Sequence, residues 1–298
     1  MNPPRMPNFL GLGVPRAGTT WLHELLGGHP EVFVPQLRKE VHFFDHYFDR
    51  GESWYSRFFS GASSETAVGE ITPQYLTREH TLARIEQFGG VDRFVVILRH
   101  PVDRIYSHFG LRVRNNNYTR GFRCFQVDEP EALAMSRYSR HLQRYADTFG
   151  RDSILVLIQE EIRLKPEVGK RLLAEHLGID PGAFPVLSDR VNQSFVPKHR
   201  RLFALAKRAV HVLNRSDNEW LVRFLKNMGV KRLLSRGERL EPIDPSDFLS
   251  LLQDYKEEIA GVEGFLGRPV PLWRERNRTM REKLSTGLGT HQGSGERT

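Results

Sequence analysis

Short apolar runs alternate along this chain with amphipathic stretches. Runs at 8–14, 67–72, 93–99 and 153–158 are bounded by polar or turn residues, a pattern that predicts four strands. The run RFVVILR is continuous, which is typical of a strand covered on both faces of a parallel sheet.

The intervening stretches have the periodicity of helices. It predicts helices after Gly18, over 78–88, from Pro101 to about Arg112, near 130–148 and near 164–178. Because strands and helices alternate, we predict an α/β fold of three layers, with a central parallel sheet flanked by helices.

The second half of the chain changes in character. Residues 198–239 are basic and amphipathic, whereas 247–267 place apolar side chains on one helical face and predict a helix packed on the sheet. The polar end, 276–298, predicts a flexible tail. We therefore expect one domain over 1–275, in which 198–245 form a basic helical insertion or an acceptor lid.

Composition narrows the function classes. The formal net charge is +8 and the pI about 9.7, which favours an anionic partner such as a nucleic acid, a polyanionic cofactor or an acidic substrate. The single cysteine, Cys124, excludes an internal disulfide. Without an apolar run of 18 residues or a basic-then-apolar N-terminus, we expect no transmembrane span and a cytoplasmic location.

The loop Gly13–Thr20 has the spacing of a Walker A phosphate loop, with Thr19 where that motif has lysine. A strand–loop–helix context would direct backbone N–H groups and the positive end of a helix at an anion. Arg16 adds a permanent charge suited to phosphate oxygens. An ordinary turn with a solvated arginine is the structural alternative.

The third predicted strand ends in Arg99, where a nucleotide hydrolase would have a metal-binding acidic residue. Ser107 lies two helical turns further on and could reach an anion held by Arg99. The pattern indicates anion binding at two strand ends without a divalent ion. A surface arginine and a solvent-facing serine are the alternative.

Four motifs occur in order: VPRAGTTWLHELLGGHPEVFVP, KEVHFFD, GEITPQYL and ILRHPVDRIYSHF. In order and spacing, residues 8–160 resemble the sulfotransferases that use 3′-phosphoadenosine-5′-phosphosulfate (PAPS), and a weaker similarity continues to about 273. The resemblance is closest to bacterial sulfotransferase-domain proteins and to the Golgi glucosaminyl sulfotransferases of heparan sulfate. It implies a P-loop NTPase-like fold.

The resemblance also implies the donor site. Its first loop would bind the 5′-phosphosulfate, the strand-end arginine and the helix serine the 3′-phosphate, and basic residues of a late loop would assist. The corresponding residues here are Arg16, Ala17, Gly18, Thr19, Thr20 and Trp21, then Arg99 and Ser107, then Lys198 and Arg200. The co-substrate would be PAPS, and no metal is expected. The family more often has lysine at position 16.

The motif KEVHFFD supplies Glu40, His42 and Asp45 for the acceptor side. In the similar glucosaminyl sulfotransferases the glutamate is the base, so the resemblance implies Glu40 as base, with His42 as the alternative. If 40–42 is extended, the two side chains point to the same side. Glu70 also matches, but Ile71 follows it where those relatives have lysine.

One stretch of the chain has the spacing of metal ligands. His42, Asp45, His46 and Asp49 are spaced as ligands on a helix would be, yet a surface of mixed aromatic and charged residues is the preferred interpretation. We therefore assign no metal from the sequence.

The predicted activity is sulfuryl transfer from PAPS to a hydroxyl group, with an amine as the alternative. The acceptor would be a small molecule, a carbohydrate or a lipid, and no nucleic acid partner is expected. Two rivals stay open: a P-loop nucleotide kinase-like enzyme, and a non-catalytic protein that binds nucleic acid or membrane through 198–239.

Overall fold

A single parallel sheet forms the centre of the protein. The computed structural model describes residues 5–36, 38–116, 118–187 and 240–287. The strands are β1 (Phe9–Gly13), β2 (Val32–Phe33), β3 (Ala67–Ile71), β4 (Arg93–Leu98) and β5 (Ile154–Ile158), in the spatial order β2-β3-β1-β4-β5.

Helices cover both faces of this sheet. Every residue of β1 and β3 is buried, and successive side chains of a strand point to opposite faces, so neither face is open to solvent. The four predicted strands are all present. β2 was not predicted, because two residues are too short a run to give a periodic signal.

Twelve α-helices lie in the described residues and are numbered in chain order. They are α1 (Thr19–Gly27), α2 (Glu52–Ser56), α3 (Glu79–Phe88), α4 (Pro101–Asn116), α5 (Phe122–Asp128), α6 (Pro130–Ala134), α7 (Tyr138–Phe149), α8 (Gln159–Leu164), α9 (Pro166–Leu177), α10 (Pro245–Gln253), α11 (Lys256–Leu266) and α12 (Pro271–Ser285).

Two predicted helices are each divided in two. The helix expected near 130–148 breaks between α6 and α7, where the buried Ser136 donates a hydrogen bond to the carbonyl of Pro101 and accepts one from Arg104. The helix expected over 247–267 breaks between α10 and α11. There the backbone N–H groups of Asp254 and Tyr255 donate to carbonyls three residues back. These bonds tighten the last turn of α10 and end the helix.

The C-terminal boundary differs from the expected one. The tail was predicted from residue 276, but α12 continues to Ser285, buries Met280 and accepts a hydrogen bond at Asn277 from His100. These tertiary contacts order a segment whose sequence is polar. Residues 288–298 and 188–239, including Lys198, Arg200 and the basic stretch, lie outside the described residues.

Within the described ranges, no helix combines the length and apolar character that crossing a membrane requires.

Candidate active site

The loop after β1 depends on glycine at both of its ends. Gly13 has φ 138°, and a Cβ there would lie 2.2 Å from the carbonyl oxygen of Pro73. Gly18, with φ 108°, precedes the first residue of α1 and no side chain caps that helix. Both angles favour glycine, and the first-turn N–H groups of α1 remain available to an anion.

Arg16 lies within this loop with φ 74°, and two neighbours hold it. Its Nε donates to Ser107 Oγ at 3.1 Å, and Arg99 Nη1 donates to its carbonyl oxygen at 3.3 Å. The structure therefore brings together the three residues on which both predicted phosphate sites depend. Their side chains come from the β1–α1 loop, the end of β4 and the face of α4.

Positive charge is concentrated around Arg16. Burial, followed by the charges of Arg114, Arg99 and Arg104, lowers the pKa of Arg16 to about 10. This guanidinium is still protonated at neutral pH. A partly desolvated group of cations is a strong site for a multivalent anion, because the anion relieves their mutual repulsion.

Two of these arginines were not predicted. Arg104 is completely buried and donates to Ala132, Ser136 and, at 3.5 Å, the carbonyl of Pro15 in the loop. Arg114 lies on α4 seven residues after Ser107. A separation of seven residues is two helical turns, so the sequence contained a signal for placing Arg114 on the serine face.

Nearby carboxylates have other partners. Asp103 forms a two-point ion pair with Arg276 at 2.8 and 2.9 Å, and Glu160 accepts hydrogen bonds from the His100 N–H and Trp273 Nε1. Arg16 and Arg99 form no ion pair with any residue in the described part of the chain. Their charge is therefore available to a ligand.

A second group of polar side chains surrounds Glu40. Its Oε1 accepts a hydrogen bond from Lys39 at 3.1 Å, and its Oε2 lies 3.5 Å from His42 Nε2. On the other side of the imidazole, Nδ1 lies 2.9 Å from Asp45 Oδ2. Glu40 and His42 thus lie together as expected, but His42 is left-handed, with φ 60°, rather than extended.

These contacts set the charges of the group. Burial alone would lower the pKa of His42, but the hydrogen bonds and charges of Asp45 and Glu40 outweigh it and raise the pKa to about 9. Burial opposes ionisation of Glu40, yet His42 and Lys39 lower its pKa. Near neutral pH a carboxylate is therefore paired with an imidazolium, and of the two only Glu40 can accept a proton.

Glu70 anchors this segment to β3. It is completely buried and accepts hydrogen bonds at 2.6 Å from both Thr72 Oγ1 and Tyr75 OH, and burial raises its pKa. Glu70 also accepts the Val41 N–H at 3.4 Å, and Thr72 accepts the His42 N–H at 3.3 Å. The backbone of Val41 and His42 is thereby held at the end of β3.

All these groups lie at one edge of the sheet. The Glu40–Asp45 segment contacts the carboxyl end of β3, the Arg16 loop follows β1 and Arg99 follows β4, and these three strands are neighbours. The close approach of Gly13 to Pro73 joins the first two. Ala17 is buried in the loop, and Thr19, Thr20 and Trp21 form the first turn of α1.

The predicted metal-ligand spacing is partly realised. One potential ligand atom from each of His42, Asp45 and His46 lies within 4.8 Å of the others, whereas Asp49 is not in this group.

Comparison with known proteins identifies a family to which this chain is similar. The family model described as a sulfotransferase domain matches residues 7–196. Heparan sulfate glucosamine 3-O-sulfotransferase 6 of Mus musculus is 29% identical over 56% of this chain and 51% of its own. Bifunctional heparan sulfate N-deacetylase/N-sulfotransferase 2 of the same organism is 27% identical over 90% of this chain and 31% of its own. The chain thus spans about a third to a half of these curated relatives.

A solved structure supports the fold. A sulfotransferase from Alicyclobacillus acidocaldarius aligns over 91% of this chain and 99% of its own, with a TM-score of 0.64 and 24% identity. This confirms the predicted P-loop NTPase-like α/β fold. Because the family model covers well over half of the 298 residues and all four motifs lie inside the match, the chain belongs to the sulfotransferase domain family.

Proposed function

We propose that the protein transfers the sulfuryl group of PAPS to a hydroxyl group of an acceptor. The observation that carries this proposal is the contact of Arg16 with both Ser107 and Arg99. One continuous cationic site thereby joins the loop after β1 to the end of β4. A nucleotide with phosphates at both its 5′ and 3′ positions requires two anion sites of this kind.

The donor would bind along this site. Loop N–H groups, the hydroxyls of Thr19 and Thr20 and the Arg16 guanidinium would face the 5′-phosphosulfate, while Arg99 and Ser107 would face the 3′-phosphate. Arg16 keeps its charge but is a poor proton donor. We therefore assign it electrostatic stabilisation of the bridging oxygen as negative charge develops there, a role that a metal ion fills in many phosphoryl transfers.

Glu40 would act as the base. The acceptor oxygen forms a bond to sulfur, the bond from sulfur to the 5′-phosphate oxygen breaks, and the hydroxyl proton passes to Glu40. The products are a sulfate ester and adenosine 3′,5′-bisphosphate. His42, held by Asp45, would orient the carboxylate and stabilise its charge before attack.

For the acceptor we propose a carbohydrate hydroxyl. Two relatives are named for activity on heparan sulfate, and the sequence resemblance to that group includes the Glu40 motif KEVHFFD. On the same resemblance Ile71 stands where that group has lysine, so we expect an acceptor less anionic than heparan sulfate. A panel of ³⁵S-PAPS reactions with neutral sugars, heparan fragments, lipids and small alcohols tests this; exclusive labelling of a non-carbohydrate would overturn it.

Calorimetry with adenosine 3′,5′-bisphosphate tests the donor half. We expect one site per chain and a loss of affinity of about 10–100-fold in Arg99→Ala, the equivalent of one charge-assisted hydrogen bond of about 1.5–3 kcal/mol. Arg163→Ala, at an exposed position on α8, is the matched control and should bind normally. Tighter binding of ATP with Mg²⁺ than of the bisphosphate would contradict the proposal and favour a kinase.

A further inference from the structure

Two imidazoles converge on one carboxylate oxygen beside Glu40. Asp45 Oδ2 lies 2.9 Å from His42 Nδ1 and 3.7 Å from His46 Nε2. The Asp45 side chain is only 1% exposed, whereas that of His46 is 53% exposed. An ion pair with His42 accounts for the first contact. It gives no reason for a second imidazole to face the same oxygen.

These separations fit a metal ion. A tetrahedral Zn²⁺ with ligand bonds of about 2.0–2.2 Å holds its ligand atoms about 3.3–3.5 Å apart. One ligand atom from each of the three residues lies within 4.8 Å of the others, so no pair is more than about 1.5 Å beyond the spacing that a tetrahedral ion imposes. The exposed His46 leaves a path for the ion.

The surroundings supply the support that metal-binding imidazoles require. The ring nitrogen of His42 that faces away from Asp45 lies 3.5 Å from Glu40 Oε2, the carboxylate–histidine–metal arrangement that fixes a ligand's tautomer. Arg84 donates to the carbonyls of Phe44 and Asp45 and holds the turn that carries the ligands.

We propose that His42, Asp45 and His46 form a binding site for a divalent transition-metal ion, with Zn²⁺ as the best match to two imidazoles and a carboxylate. The neighbouring cations do not occupy it. Lys39 bonds to Glu40, and Arg78, whose charge reaches His46, has Glu131 at 3.9 Å.

The ion would act on the proposed reaction through Glu40, and this consequence rests on the proposed function. An ion on His42 Nδ1 leaves Nε2–H facing Glu40 and fixes the orientation of the ring. The ring can then no longer turn with the Glu40 carboxylate when the acceptor binds. We expect bound Zn²⁺ to slow sulfuryl transfer while leaving bisphosphate binding unchanged, because the donor loop does not include these ligands.

Calorimetry with Zn²⁺ on the tag-free chain tests binding without any assay of activity. We expect one site whose affinity falls at least tenfold in His46→Ala and is unchanged in His80→Ala, an exposed histidine on α3. Co²⁺ should give the visible absorption of a tetrahedral site, lost in the same variant. Equal Zn²⁺ affinity of His46→Ala and the unsubstituted protein would overturn the proposal.

Transfer assays separate the two proposals. With Zn²⁺ saturating, we expect a lower rate that a chelator restores, and no such inhibition in His46→Ala. Zn²⁺ binding in a protein that transfers no sulfuryl group would leave the metal site standing and remove the proposed function. Sulfuryl transfer by a protein that shows no His46-dependent Zn²⁺ binding would remove the metal site and leave the proposed function standing.

Discussion

Arg16 shows how a single residue joins conformation to charge. A non-glycine residue at φ 74° costs about 1–2 kcal/mol in backbone strain, and here two hydrogen bonds, to Ser107 and from Arg99, oppose that cost. The sequence predicted the charge at this position. It could not predict the left-handed backbone, because the partners that hold it come from residues more than 80 positions away.

Glu40→Gln should separate catalysis from donor binding. The amide keeps the shape of the side chain but cannot accept the acceptor's proton, so we expect kcat to fall about 10²–10⁴-fold. The affinity for adenosine 3′,5′-bisphosphate, measured by calorimetry, should stay within twofold. Glu86→Gln, an exposed change on α3, is the matched control and should retain full activity. A Glu40→Gln enzyme with unchanged kcat would remove Glu40 as base.

Gly13→Ala should damage the loop and the fold together. The new Cβ would lie 2.2 Å from the Pro73 carbonyl at a φ that side chains rarely adopt, so we expect a loss of at least about 2 kcal/mol in unfolding free energy. Gly121→Ala, where φ is −60° and a Cβ meets nothing within 4 Å, should change it by less than about 0.5 kcal/mol. Chemical denaturation measures both, and similar stabilities would contradict the steric argument.

At the scale of elements, periodicity located the sheet but not the breaks in helices. The four longer strands were predicted from their apolar runs. Because β1 and β4 are parallel neighbours, the Arg16 loop and Arg99, which follow them, lie at the same edge of the sheet. The breaks after α6 and α10 depend on contacts made by Ser136 and Tyr255 with distant segments. Such contacts leave no periodic signal in the neighbouring sequence.

The same distinction applies to the candidate site. Arg16, Arg99 and Ser107 were predicted from motifs, and Arg16 contacts each of the other two. Arg104 was not predicted, because a charged residue inside an amphipathic helix is ordinarily solvated, whereas here it is buried against α6. His42 and His46 face the same oxygen of Asp45 because of the turn that follows His42. The spacing of these residues in the sequence does not determine the geometry of that turn.

Met280 tests whether α12 is part of the domain. It is 2% exposed, so Met280→Ala should lower the unfolding free energy by about 2–5 kcal/mol. Leu284→Ala lies one turn further along the same helix at a side chain that is 47% exposed, and should cost less than about 0.5 kcal/mol. Equal effects in denaturant titrations would return residues 276–285 to the tail that the sequence predicted.

At the scale of the whole molecule, the docking of α12 protects the charge of the anion site. Arg276 binds Asp103, and Trp273 binds Glu160, so the C-terminal helix engages two carboxylates that interact electrostatically with Arg99. The net charge of +8 therefore has a local counterpart at the sheet edge. A segment distant in sequence thus contributes to the electrostatics of the loop after β1.

The contact between His100 and Asn277 of α12 should make the stability of the protein sensitive to acid. His100 is completely buried, and burial lowers its pKa to about 4, while Asp103 acts in the opposite direction without overcoming it. In the unfolded chain the imidazole has its ordinary pKa of about 6.5. As pH falls from about 6.5 to 4, the unfolded state takes up a proton that the native state does not, so the unfolding free energy falls by at most about 3 kcal/mol.

His100→Gln isolates this contribution. Its amide N–H can replace the imidazole donor to Asn277, but it does not titrate, so the unfolding free energy of the variant should vary less between pH 6.5 and 4. His80→Gln, at an exposed position, should keep the pH dependence of the unsubstituted protein. Urea unfolding at half-unit pH intervals measures all three. If the pH dependence of unfolding free energy in His100→Gln matches that of the unsubstituted protein, protonation of other groups causes the loss of stability in acid. The buried His100 would then make no contribution to it.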